Sequence, residues 1–214
     1  MGPTFAQQLK NRLELDLPGD TSHRIMMPSL ISGERIRFAN SKKPRDGAVL
    51  ILFYEKDGQL RFPLIQRPQY NGPHGGQISL PGGKWEEGDQ DLFHTALREA
   101  EEEIGIIADK TSIIGSLSSF SVVASNHQVL PVIGYYPEVP KYIPDQIEVD
   151  EVVDVALDDL MDETNLKRTE IVVGNNVRLD SPYFDLGNKV VWGATAGMLS
   201  ELKHIVLELR YEQF

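Results

Sequence analysis

LPGGKWEEGDQDLFHTALREAEEEIGI, residues 80–106, is a paired-glycine turn, a short acidic loop and a run of helix formers crowded with carboxylates. Residues 91–104 are predicted helical, and Gly105 stands where a C-terminal cap belongs. At about 100° per residue, Leu92, Phe93, Ala96, Leu97, Ala100 and Ile104 fall on one broad face. Glu99, Glu102 and Glu103 are spaced i, i+3 and i+4, so their side chains share one patch. Glu103 lies beside the apolar face and is expected to be partly buried. Like charges at this spacing repel by roughly a few tenths of a kcal/mol, and by more when desolvated. Acids near a helix C-terminus also oppose its macrodipole, and only Arg98 is adjacent as relief. Mg²⁺ or Mn²⁺ prefers carboxylate oxygen and would remove this repulsion. Alone, the same run fits a solvated acidic face better, so the flanking sequence has to decide.

Upstream, AVLILFY (residues 48–54) reads as a buried strand. Lys56-Asp57-Gly58-Gln59 is a turn signal, and residues 60–67 supply the returning strand. RPQYNGPHGGQ, residues 67–77, holds three glycines and two prolines and must be a loop, of the kind that approaches a ligand closely. Residues 5–17 place Phe5, Leu9, Leu13 and Leu17 four apart, a helical stripe ended by Pro18-Gly19. That stripe predicts a helix packed on the domain and leaves room for a homodimer. Residues 23–40 read as an irregular lead-in.

Downstream, residues 113–120, 129–136 and 147–156 are strand-like, with 137–144 separating the last two. Residues 171–173 and 177–179 flank Gly174-Asn175-Asn176 as a hairpin, and residues 194–209 read as a closing helix. The order predicts an α+β or mixed α/β fold with no internal domain boundary: a lead-in over residues 1–44 packed on a domain over 45–214.

Composition sets the outer limits. A chain of 214 residues, 41% hydrophobic and 25% charged, is of ordinary globular make-up and large enough to bury a core. No apolar run approaches the roughly 18–20 residues of a membrane span, and the N-terminal residues lack the apolar core of a signal peptide. The absence of cysteine excludes disulfides and thiolate chemistry and fits a reducing cytoplasm. A net charge of −11 argues against a nucleic-acid footprint. Any phosphate-bearing ligand would have to be met by local cations or by metal.

Arg98-Glu99-Ala100-Glu101-Glu102-Glu103-Ile104-Gly105-Ile106 resembles the tail of the Nudix box, R-E-U-x-E-E-x-G-U with U apolar, at all of its fixed positions. Gly82-Gly83 stand where the box begins. The head departs from G-x5-E-x7-R: Asp89 stands five residues after Gly83, and eight residues precede Arg98. Leu64-Ile65-Gln66-Arg67, His74, Gly76-Gln77 and Leu80-Pro81-Gly82-Gly83 resemble the motif before the box in coenzyme A diphosphatases. In that motif Gln66, Pro68, Gly72 and Leu80 depart, Gly72 replacing an arginine. Residues 147–152 and 192–196 are similar to the d-E-V-x-E-V and W-G-x-T-A segments of that subfamily.

The resemblance implies a Nudix fold, a mixed β-sheet between helices with a strand-loop-helix-loop catalytic motif. It implies Mg²⁺ or Mn²⁺ on Glu99, Glu102, Glu103 and the Gly83 carbonyl, with Arg98 orienting the glutamates. Glu99, Glu148 and Glu151 are the candidates for general base. Arg67, His74, Gly76 and Gly82 are the expected substrate contacts. The implied substrate is a small nucleotide, coenzyme A or a derivative, cleaved to 3′,5′-ADP and 4′-phosphopantetheine. Other nucleoside diphosphate derivatives, such as ADP-ribose or NADH, and a non-catalytic nucleotide-binding module are the alternatives.

Overall fold

The computed structural model describes residues 2–32, 43–69 and 75–211. Helix α1 (Gly2–Leu13) and the single turn α2 (Asp20–His23) lead to the short strand β1 (Ser29–Leu30). Strands β2 (Arg45–Lys56) and β3 (Gln59–Gln66) form a hairpin, followed by β4 (Ile78–Ser79), β5 (Gly82–Lys84) and helix α3 (Leu92–Ile104). Then come β6 (Ser112–Ser116), β7 (Phe120–Val122), β8 (His127–Tyr135), β9 (Glu151–Ala156) and the short helix α4 (Leu157–Met161). The chain closes with β10 (Leu166–Val173), β11 (Val177–Leu186), β12 (Lys189–Trp192) and the long helix α5 (Gly193–Tyr211).

The larger sheet runs β4-β3-β2-β8-β6, with β5 on β2, β7 on β8 and β9 on β3. Among the described residues only the β2–β8 pair is parallel, which makes the sheet mixed. The alternation of side chains along β2 explains the layers. Leu50, Leu52 and Tyr54 pack with Ala96, Ala100 and Ile104 of α3. Ile51 and Phe53 pack with Leu9 of α1 and Leu199 and Leu202 of α5. Because both faces of β2 are covered, its sequence is an unbroken apolar run rather than an alternating one. A second sheet of β1, β10, β11 and β12 packs Phe184, Leu186 and Val191 into the α5 side of the core.

Local chemistry fixes the ends of these elements. Asp57 and Gly58 take φ of 53° and 75° between β2 and β3, the left-handed pair that a two-residue hairpin turn needs. In α3, Asp91 Oδ1 accepts the His94 N–H at 2.8 Å as N-cap. Gly105 closes the helix with φ 72°, and the N–H groups of Gly105 and Ile106 return to the carbonyls of Glu101 and Ala100.

Four expected boundaries shift. The helix expected over residues 5–17 ends at Leu13, in three-residue turns from Glu14 N–H to Asn11 O and from Leu15 N–H to Arg12 O. Pro18 disfavours helical backbone at Leu17, although Leu17 still packs on the core. Phe5 and Leu9 are buried by the chain's own core, so this stripe is not left free for a dimer partner. The run 113–120 splits into β6 and β7, and the run 147–156 is strand only from Glu151. Asp145 Oδ1 accepts the N–H groups of Ile147 and Glu148 at 2.7 and 3.1 Å and turns that segment before pairing begins. The β10–β11 hairpin is longer than the six residues read from sequence, pairing from Leu166↔Phe184 to Val173↔Val177.

The N-terminal segment is bound to the rest through a buried carboxylate. Glu201 of α5 accepts from Gly19 N–H at 2.9 Å and Ser118 Oγ at 2.6 Å, and pairs with His23 Nε2 at 2.9 Å.

Candidate active site

The paired glycines and the second half of α3 meet face to face. Strand β5 pairs with β2 through Gly47↔Lys84, Ala48↔Gly83 and Val49↔Gly82. Gly82 has φ 147°, and an added Cβ there would run into the Ala48 carbonyl and stand 2.5 Å from Val49 Cα. Only glycine fits both the angle and the space. At Gly83 an added Cβ would fall on the Glu99 carboxylate, 2.5 Å from Oε1. The glycine pair is therefore what allows the backbone to reach the helix carboxylates.

Glu103 is almost wholly buried, more than its sequence position suggested. It accepts the Gly82 N–H at 2.7 Å, and Arg67 Nη2 approaches it at 3.3 Å. Burial pushes its carboxyl up to about 7 against the pull of Arg67 and the Gly82 N–H, with Glu99 and Glu148 pushing further. Glu99 is also raised, first by burial and then by Glu102 and Glu148, while Arg98 works the other way. Glu148 is thus close enough to act on both helix acids.

Arg98 is the hub on the other side. Its Nη2 pairs with Glu99 at 3.1 Å and its Nη1 with Glu102 at 2.9 Å. Its main partner is Asp89, which takes Nε at 2.9 Å and Nη2 at 3.0 Å as a two-pronged pair. Asp89 also accepts from Thr95 Oγ1 at 2.8 Å and Glu86 N–H at 3.0 Å, and contacts His94 Nδ1 at 3.0 Å. Arg98, followed by these other donors, holds the Asp89 carboxyl well below the usual range despite its burial. The sequence left this residue without a role. Its signal was an acid at the head position of the box, and only the folded loop shows that it anchors Arg98.

The remaining expected residues divide. Arg67 is brought to the cluster, donating to Gly82 O at 3.2 Å as well as facing Glu103. Gly76 has φ 70° and donates its N–H to Pro68 O at 3.0 Å, while Arg67 N–H meets Gln77 O at 3.0 Å, closing the neck of the loop. His74 and Gly72 lie outside the described residues. Glu148 makes no ion pair among the described residues and stands on a loop tied to α3 by Asp145 N–H to Glu103 O at 2.9 Å. Glu151 is drawn elsewhere: Lys189 Nζ binds it at 2.6 Å and Gln66 Oε1 at 2.7 Å.

The chemistry of the donor set suits a hard divalent cation. Glu99 and Glu103 are acids held side by side against their mutual repulsion, with Glu148 adding to it. Glu102 is turned outward to Arg98, its side chain 59% exposed. In this arrangement no three acidic or histidine side chains among the described residues converge to enclose an ion. The carbonyl of Gly83 faces Gly47, where a Cβ would stand 2.5 Å from it.

The family model of the NUDIX domain matches residues 44–174. The chain is 39% identical over 175 residues to Nudix hydrolase 15, mitochondrial, of Arabidopsis thaliana, covering 78% of this chain and 60% of that protein. It is 35% identical over 157 residues to the mitochondrial coenzyme A diphosphatase NUDT8 of Homo sapiens, covering 72% of this chain and 66% of that one. The chain thus spans slightly under two thirds of the length of each. Among solved structures, a Nudix hydrolase from M. smegmatis, RenU, aligns with a TM-score of 0.56 at 17% identity, over 85% of this chain and 94% of that one. That likeness is one of fold.

Proposed function

This chain belongs to the Nudix hydrolase family, and on that premise we propose that it is a metal-dependent diphosphatase acting on coenzyme A or its derivatives. The observation that carries the reading is the pair of mutually repelling carboxylates, the buried Glu103 and the half-buried Glu99, packed on Gly82-Gly83 with Glu148 near enough to raise both. Glu99 and Glu103 would hold Mg²⁺ or Mn²⁺, and Glu102 and the Gly83 carbonyl would complete the set only by turning from Arg98 and Gly47. When bound, the ion neutralises diphosphate charge and makes water a better nucleophile.

The chain's own residues do the rest. Arg98, anchored by Asp89, keeps Glu99 and Glu102 oriented. Arg67 presents a cation at the Gly82 edge, where one diphosphate oxygen would bind. Glu148 accepts the proton of the attacking water. A new P–O bond forms, the anhydride P–O bond breaks, and the departing phosphate takes the electron pair. Glu148 suits that role better than Glu151, which Lys189 already neutralises.

Coenzyme A is preferred over other diphosphates because of the motif flanking the box and the named activity of the human relative. Incubation with Mg²⁺ or Mn²⁺ and coenzyme A, ADP-ribose or NADH tests it. Formation of 3′,5′-ADP with 4′-phosphopantetheine is expected. Selective cleavage of ADP-ribose or NADH would replace the substrate, and metal-dependent binding without products would replace the enzyme by a binding module.

A further inference from the structure

Glu148 closes the turn Asp145-Gln146-Ile147-Glu148, which lies ahead of β9, and burial does not hold it in place. Gln146 and Glu148 are exposed, and Ile147 is 84% exposed. The backbone on either side is fastened to elements that carry site residues. Asp145 N–H donates to the Glu103 carbonyl at 2.9 Å, at the end of α3. Asp150 N–H donates to the carbonyl of Gln66, the neighbour of Arg67, at 2.9 Å. Val149, just before it, is buried in the α3 side of the core.

Between those two anchors the turn rests on Asp145. Its Oδ1 accepts the N–H groups of Ile147 at 2.7 Å and Glu148 at 3.1 Å. Its carbonyl accepts those of Glu148 at 3.3 Å and Val149 at 2.8 Å. An aspartate followed three residues later by a glutamate has the pattern of a capping box, in which the glutamate side chain reaches back to the N–H of the first residue. Here the Glu103 carbonyl already holds that N–H, so the local partner that would draw the Glu148 carboxylate back is taken. Glu148 is left near enough to Glu99 and Glu103 to act on both.

We propose, on the diphosphatase reading with Glu148 as base, that Asp145 is a positioning residue of the reaction. Its carboxylate shapes the turn that presents Glu148. Its N–H ties that turn to the helix of Glu99 and Glu103 and keeps the Glu148 side chain from folding back. Asp145 acts through backbone N–H groups, which an uncharged amide oxygen can also accept. A misplacement of about 1 Å can cost about a hundredfold in rate. With its carboxylate removed the turn keeps both backbone anchors, so a loss of about tenfold is expected.

The test is a cycle of D145A, E148Q and D145A/E148Q, with D145N beside it, read as kcat and KM for coenzyme A with Mg²⁺. D145A should lower kcat about tenfold and leave KM within about twofold, since substrate contacts at Arg67 are untouched. D145N should regain all but about threefold, because its Oδ1 can still accept both N–H groups. In the E148Q background D145A should change kcat by less than about twofold, as for residues that act as one unit. A tenfold loss that persists in E148Q overturns the inference, as does a D145N as slow as D145A or a D145A at the native rate. Failure of the reading beneath it is seen separately. The unsubstituted protein would then cleave no coenzyme A; an E148Q at the native rate would remove the base, and with it anything for Asp145 to aim.

Discussion

Asp89→Asn removes one charge from an enclosed ion pair beside the site and changes almost no volume. Asp89 has a side chain 1% exposed and takes both prongs of Arg98, itself only 20% exposed, together with Thr95 and the Glu86 N–H. An asparagine amide can accept at Oδ1, but its NH₂ faces the donors of Arg98. Breaking a buried pair by losing one partner costs roughly 3–5 kcal/mol. Arg98 keeps Glu99, Glu102 and the Lys84 carbonyl, so the lower end, about 3 kcal/mol, is expected. At about 2–4 °C per kcal/mol for a chain of this size, Tm should fall by about 6–12 °C. Calorimetry and urea unfolding at pH 7 measure it, and a cycle with Arg98→Met isolates the pair, whose coupling should exceed about 1 kcal/mol.

The pH dependence has a definite sign. The folded carboxyl is depressed, so its stabilisation is present above the ordinary aspartate value and is lost as pH falls through the lower folded value. The native protein should therefore lose stability in acid more steeply than the variant. Turnover should also fall by about tenfold, because Arg98, still paired with Glu99 but without its Asp89 anchor, positions that carboxylate less tightly. A variant within about 0.5 kcal/mol of the native protein at pH 7, with unchanged turnover, would refute the reasoning.

Glu103→Gln should abolish most metal-dependent turnover, by on the order of a hundredfold or more, while the protein stays folded. Glu103 is raised, so the cost of its buried charge is absent below the ordinary glutamate range and grows as pH rises through about 7. The glutamine variant should therefore gain up to roughly 3 kcal/mol on the native protein at alkaline pH, read by urea unfolding at about pH 4 and pH 9. The same protonation should make native turnover fall as pH drops below about 7, since a protonated carboxyl is a poor metal ligand. Gly82→Ala should destabilise far more than Gly83→Ala in thermal melts, because the first methyl meets β2 backbone and the second meets a side-chain carboxylate. Gly83→Ala should lose turnover out of proportion to its stability. Glu148→Gln should lower kcat by at least about a hundredfold, whereas Glu151→Gln should change it little; the reverse order would move the base to Glu151.

Local chemistry made much of this protein legible. Asp57-Gly58 specifies the hairpin, Gly105 specifies the end of α3, and the doubly apolar run 48–54 specifies a strand covered on both faces. These signals act over two to five residues, so they survive without knowledge of the rest of the chain. The helix position of Glu99 and Glu103 was legible for the same reason, and Arg98 as their neighbour with it.

What the sequence determined alone is the family, the helix that carries the acids and the glycine turn that faces them. Tertiary structure decided which acids share one environment. Glu148 joins Glu99 and Glu103 because Asp145 bonds to the Glu103 carbonyl; Glu151 is claimed by Lys189, and Asp89 anchors Arg98 from a folded loop. Burial, which raises Glu103 and leaves Glu102 at its ordinary exposure, is likewise a property of packing around the helix. Spacing along a chain sets which side chains can lie on one face, but the dielectric and the distant partners that set their charge arrive only when strands far apart in sequence close over them.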